Sequence, residues 1–263
     1  MNALRTARLC VIPCVALWGA LAAAQPQAAP APRPVVFLDP AHGGADPGAR
    51  ISDQLDEKTA TLALAAALRP ALAQAGFTVL SSRDAELPVN TTLPLDQRAG
   101  LANHAQAAAC LVLHVTAAGS GVHLATSTLD AAAPTTPGLP APWDTAQAGY
   151  VERSRALANE LGEALLQGQL PVLLGRTLVP PLDNLTCPAV LLEVAPLRGA
   201  DPRQPDDATY QLQLARAVAA GLRRFHQAQS GDDHQPAKPR PHPAAPARPE
   251  PQGDATAPRG ATP

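Results

Sequence analysis

Short, unbroken apolar runs alternate along the middle of this chain with longer stretches whose apolar residues recur every three or four positions. The runs are Val35-Val36-Phe37-Leu38, Phe77-Thr78-Val79-Leu80, Cys110-Leu111-Val112-Leu113-His114-Val115, Val122-His123-Leu124-Ala125 and Ala189-Val190-Leu191-Leu192-Glu193-Val194. Runs this short, bounded by turn residues, predict strands buried on both faces. Four helical patterns lie between and after them. Glu57 to Ala75 carries Leu62, Ala65, Leu68 and Leu72 on one side and is stopped by Gly76. Gln97 to Ala108 is the second, and Val151 to Gln167, with Leu157, Leu161, Ala164 and Leu165, is the third. Tyr210 to Gln227 closes the series with Leu212, Leu214, Val218, Leu222 and Phe225. Residues 130–147, rich in Ala, Pro and Thr, predict a loop. Strands alternating with helices predict a single α/β domain over residues 34–229, a mostly parallel central sheet covered by helices on both faces.

The two ends read differently. Arg5 and Arg8 precede an apolar run from Leu9 to Trp18, and Ala22-Ala23-Ala24 supplies small residues for a signal peptidase. Residues 1–24 are therefore expected to be a secretory signal peptide, and 25–33 a short linker. The run is shorter than the ~20 residues that a membrane span needs, so no stable membrane insertion is expected after cleavage. An exported protein, periplasmic or extracellular, follows. Residues 230–263 are expected to be a disordered, Pro/Ala-rich tail. Nine prolines fall between Gly231 and Pro263, with no aromatic residue, leaving too little apolar surface to offset the entropy of ordering.

Composition narrows the function. With 20 basic and 22 acidic residues the net charge is −2, and aromatics make up 3% of the 263 residues. No nucleic-acid partner is expected, because a basic face to displace counterions and a platform for base stacking are both lacking. Cys110 and Cys187 lie beyond the signal segment. They can pair in an oxidising compartment if the fold brings them together, but each opens a buried run, which favours two buried thiols.

Ionisable side chains interrupt or end the apolar runs in three places. His42 follows the first run, His114 lies inside the third and Glu193 inside the last. Ligands in open α/β sheets gather at the carboxyl ends of strands, so these three can converge there. Zinc suits a histidine and carboxylate donor set. Glu57 opens the first helix, where a carboxylate also interacts favourably with the helix dipole. Arg83 and Arg98 are open to two readings, contact with a substrate carboxylate or anchorage of a loop, and the second is the commoner. His123, on the fourth run, is open to two readings, approach to the site or a core or surface role, and the second is the commoner.

Asp39-Pro40-Ala41-His42-Gly43-Gly44-Ala45-Asp46-Pro47-Gly48-Ala49 resembles the DPGHGGxDPGA signature of the zinc-dependent N-acetylmuramoyl-L-alanine amidases of the Amidase_3 family. The likeness continues in order. Leu55-Asp56-Glu57-Lys58 falls at the family's glutamate, Ser82-Arg83-Asp84 at its TRD element, and Leu95-Asp96-Gln97-Arg98 with Ala102-Asn103 at LxxR…AN. Leu113-His114 matches the histidine of SIHAN, Ser154 to Ala158 the SxxLA helix, and Pro188 to Glu193 the PAVLVE strand. Position 41 is alanine where the family has glycine, Gly175-Arg176-Thr177-Leu178 is at best a remnant of its RGVK-like segment, and two further surroundings depart from the pattern. Val115-Thr116-Ala117 follows His114, and Val194-Ala195-Pro196-Leu197-Arg198 follows Glu193 in place of GFLSN.

The resemblance implies that His42, Glu57 and His114 bind one Zn2+ and that Glu193 is the catalytic residue. It implies an enzyme that cleaves the amide between N-acetylmuramic acid and L-alanine of peptidoglycan or its muropeptides, in wall remodelling or daughter-cell separation. It leaves room for an activator protein. The altered surroundings of His114 and Glu193 keep a second reading open, a weak or inactive relative that binds peptidoglycan or a wall-biosynthesis partner.

Overall fold

Apolar runs too short for a helix and flanked by Pro, Gly or Asp become the strands of one sheet. The structure, a computed structural model, describes residues 32–132 and 142–232. The elements lie in the unit of the chain that begins at Arg33. In chain order they are β1 (Val35–Pro40), β2 (Arg50–Ser52), β3 (Leu55–Asp56), α1 (Glu57–Gln74), β4 (Thr78–Ser81), α2 (Leu95–His104), β5 (Ala109–Val115), β6 (Val122–Ser127), α3 (Val151–Gln167), β7 (Val172–Thr177), β8 (Ala189–Val194) and α4 (Ala208–Asp232). Single 3-10 segments cover Trp143–Tyr150 and Leu182–Asn184.

Six strands form the central sheet in the order β4-β1-β5-β8-β6-β7. β4, β1, β5 and β8 run parallel; β6 is antiparallel to β8, and β7 is parallel to β6. The sheet is thus mostly parallel, as the alternating pattern predicts, with a reversed pair at one side. Helices α1, α3 and α4 cover one face. Leu64 and Leu68 of α1, Leu157 and Leu161 of α3, and Tyr210, Leu214 and Val218 of α4 pack there against Leu38, Leu111, Leu113, Val190 and Leu192. The opposite face carries α2 and the segment around Leu182. Phe37, Cys110, Val112 and Ala189 meet Ala99, Ala102, Leu182 and Leu185 on that side.

Several expectations are corrected. Leu62 is not on the buried side of α1; Ala60, Leu64 and Leu68 take the core positions. Leu212 is exposed, because the buried stripe of α4 starts at Tyr210 and Leu214. The second helix lies two residues earlier at its start than expected and ends at His104, and part of the expected 130–147 loop is the 3-10 segment from Trp143. The pattern assigns no element to residues 168–188, yet β7 lies there. It is an edge strand whose side chains are mostly exposed, so no apolar run marks it. The last helix continues to Asp232, past the expected domain end at 229.

Cys110 and Cys187 are not two thiols. They form a disulfide, with Cα atoms 6.2 Å apart and a sequence separation of 77. The parallel β5–β8 pairing sets Cys110 opposite Ala189, which brings the segment before β8 within reach of β5. The expected signal peptide, linker and tail lie outside the described residues, apart from their innermost few. Among the described residues no helix is long and apolar enough to cross a membrane.

Candidate metal and catalytic site

Side chains alternate between the faces of a strand, so parity decides which residues share a face. Cys110, Val112 and His114 of β5 point to the α2 side, as do Ala189, Leu191 and Glu193 of β8. His114 pairs in register with Glu193, and Glu193 pairs with His123 of β6. Neighbouring strands lie about 4.8 Å apart. His114, Glu193 and His123 therefore form a row across three adjacent strands, at the carboxyl ends of β5 and β8.

His42 reaches this row from the loop after β1. Its backbone is left-handed, with φ of 65°, a conformation that a non-glycine residue keeps only when its surroundings hold it. Two arginines supply that hold. Arg98 donates through Nη2 to the His42 carbonyl at 2.6 Å, and through Nη1 to the Pro40 carbonyl and Asp39 Oδ1, both at 2.8 Å. Arg83 donates through Nε to the Pro40 carbonyl and through Nη2 to the carbonyls of Ala41 and Lys58. Both guanidinium groups are buried and each binds backbone carbonyls of the His42 loop, which fits the anchoring reading of Arg83 and Arg98; among the described residues only Arg83 Nη1 of these groups lacks a hydrogen-bond partner. Gly48 is needed on steric grounds as well. Its φ is 68°, and a Cβ there would stand 2.6 Å from the His42 ring and 2.8 Å from Cβ of Glu57.

Glu57 arrives by another route. The β2–β3 hairpin turns the chain back so that α1 begins with Glu57 beneath the His42 loop. Its carboxylate is 5% exposed and fully engaged. Oε2 lies 3.1 Å from His42 Nε2 and accepts from the Ala49 N–H at 2.9 Å; Oε1 lies 2.8 Å from His114 Nδ1 and accepts from the Val115 N–H. Burial pushes the Glu57 carboxyl up, but the hydrogen bonds from His114, His42 and Ala49 outweigh it and hold the group well below the usual carboxylate range. The contact with Glu57 in turn raises His42 above the ordinary histidine value, against the opposing effect of burial.

The two imidazoles lie edge to face with centroids 5.5 Å apart, and one ligand atom from each of His42, Glu57 and His114 falls within 4.8 Å of the others. The donor set fits a cation. Asp46 Oδ2 takes His42 Nδ1 at 2.8 Å, which turns Nε2 towards the Glu57 carboxylate. Two electron-rich atoms 3.1 Å apart need a proton or a metal ion between them. Two nitrogens and a carboxylate, with a carboxylate behind one histidine, are the chemistry of a zinc site with room for a further ligand. A cavity of about 320 Å³ opens beside the cluster, lined by His42, His114, Leu93, Pro94, Pro180 and Pro181.

Glu193 stands next in the row. It is not deeply buried, at 35% exposure, and Oε2 is 2.8 Å from His123 Nδ1. Of the two readings of His123, the less common one fits: it lies beside the site as the hydrogen-bond partner of Glu193. The signal for it was present in the alternation of Val122-His123-Leu124, which sets His123 on the face opposite the buried Val122 and Leu124.

Fold and site together define an α/β domain with a His-Glu-His group that could hold a metal ion and a partly exposed carboxylate, Glu193, beside it at the ends of parallel strands. The chain belongs to the N-acetylmuramoyl-L-alanine amidase family, Amidase_3, whose profile matches residues 36–224. The sporulation-specific N-acetylmuramoyl-L-alanine amidase of Bacillus subtilis (strain 168) is 39% identical over 103 residues, a stretch covering 38% of this chain and 38% of that relative's length. The catalytic domain of CwlV, an N-acetylmuramoyl-L-alanine amidase from Bacillus (Paenibacillus) polymyxa var. colistinus, superposes with a TM-score of 0.56 at 25% identity, over 74% of this chain and 98% of that one. The amidase Ami1 from Mycobacterium smegmatis shares the fold at a TM-score of 0.56 and 20% identity, over 74% of this chain and 98% of that one.

Proposed function

We propose that this chain is an exported, zinc-dependent N-acetylmuramoyl-L-alanine amidase that hydrolyses the amide between N-acetylmuramic acid and the L-alanine of peptidoglycan stem peptides. The observation that carries the reading is the convergence of His42, Glu57 and His114 beside Glu193 in a domain of this family. His42 Nε2, the Glu57 carboxylate and His114 Nδ1 are the ligands of the ion. A zinc ion held there supplies Lewis-acid activation of a water and of the amide carbonyl. Glu193 accepts the proton of the attacking water on its carboxylate and returns it to the leaving L-alanine nitrogen. Glu57 cannot share that task, since both its oxygens are occupied by imidazole and backbone N–H groups. The Cys110–Cys187 disulfide supports an oxidising compartment outside the cytoplasm.

Purified protein incubated with sacculi tests the proposal. Release of peptides with a new L-alanine amino terminus is expected, abolished by a chelator and restored by zinc. Glu193→Ala is expected to keep its zinc and lose turnover. Binding to sacculi without any release would instead establish the non-catalytic relative, and turnover indifferent to chelation would remove zinc from the account.

A further inference from the structure

We propose that His123 is a positioning residue for Glu193, holding one carboxylate oxygen so that the other is presented to the water. The inference rests on Glu193 being the general base, as proposed above. Three observations carry it. His123 and Glu193 are register partners on antiparallel strands, the closest lateral placement that a sheet offers. Their contact is specific, Nδ1 to Oε2 at 2.8 Å, and among the described residues neither Nε2 of His123 nor Oε1 of Glu193 has a protein hydrogen-bond partner. The ring is also confined from the other side. Gly119, at φ of 79°, lies so close that a Cβ would stand 2.9 Å from His123 Cε1, and Arg198 Nε fixes that loop by donating to the Gly119 carbonyl at 2.8 Å.

A carboxylate on a strand, 35% exposed, can turn about its last torsion unless something holds it. With Nδ1–H donating to Oε2, that oxygen is committed and Oε1 is left to take the proton. The order of the row then assigns the tasks. His114 faces the metal cluster, Glu193 stands in the middle as base, and His123 closes the row as support.

The test is steady-state turnover of a soluble muropeptide by His123→Ala, His123→Asn, His123→Gln and Glu193→Ala, with zinc content and Tm measured on each. His123→Ala should lower kcat by about 10–100-fold, the usual effect of losing such an outer partner, with KM within about twofold and zinc content unchanged. An asparagine amide places its N–H near the position of Nδ1–H, whereas a glutamine amide places it farther out. Recovery by His123→Asn to at least about tenfold above His123→Gln is therefore expected, and the contrast holds even if the alanine variant is unstable. Equal activity of the Asn and Gln variants, or wild-type kcat in His123→Ala while Glu193→Ala is dead, overturns the positioning role and leaves the base assignment standing. Full turnover by Glu193→Ala overturns the base assignment and this inference with it.

Discussion

The two halves of the site are built on different principles. On the β1 side, every part of the His42 loop is held: Arg83 and Arg98 take its carbonyls, Asp46 takes the His42 ring, and Gly48 lets His42 and Glu57 close up. On the β8–β6 side, Glu193 has one side-chain partner and stays partly open to solvent. An ion site needs its donors fixed before the ion arrives, so buried anchors suit it. A group that exchanges protons with a water needs one oxygen unclaimed. The departure from the family pattern after Glu193 lies on the open side, whereas the one after His114 begins at Val115, whose N–H donates to Glu57, and the signature around the anchored loop is nearly intact.

This contrast can be broken or sharpened by substitution. The largest effect is expected at Glu193. Its replacement by alanine should reduce turnover by about 10²–10⁴-fold, the range for a general base, while zinc stoichiometry and Tm stay near wild type. Retained metal with lost activity would separate the halves cleanly, and lost metal would join them. Arg98→Ala should do the opposite. It leaves buried Asp39 without its cation and the His42 carbonyl without its donor, so unfolding by denaturant should show a loss of about 3–5 kcal/mol, together with weaker zinc binding.

Cys110→Ser removes the clamp between the start of β5 and the approach to β8. It should lower stability by about 2–5 kcal/mol in chemical denaturation, with a smaller change in kcat because the bridge lies at the opposite end of these strands from His114 and Glu193. A collapse of kcat in still-folded protein would show that the open side depends on the clamp. The smallest effect is expected for Asp46→Ala, which frees the His42 ring without touching Glu193. Zinc titration should report about 10–100-fold weaker binding, and activity at saturating zinc should recover.

Much of this was open to reading along the chain. β1, β5 and β8 are buried on both faces, and that constraint writes an unbroken apolar run; the helices that cover them write a stripe every three or four residues. His42, His114 and Glu193 stand out because each puts a titratable group at the end of, or inside, such a run. β7 has no such signature, since an edge strand with exposed side chains needs none. Leu62 and Leu212 misled because leucine is as acceptable at the border of a helix stripe as at its centre.

Residue order alone was enough for the fold class and for singling out His42, His114 and Glu193 as ionisable groups in or beside buried runs, because burial of strands and helices leaves a local periodic record. Which groups touch was settled only by folding. The Cys110–Cys187 bond, the Glu57–His114 contact and the His123–Glu193 pair join positions 77, 57 and 70 apart in the chain, and Glu57 also reaches back across the hairpin to His42. Such contacts depend on strand register and loop closure, which leave no periodic trace in the chain.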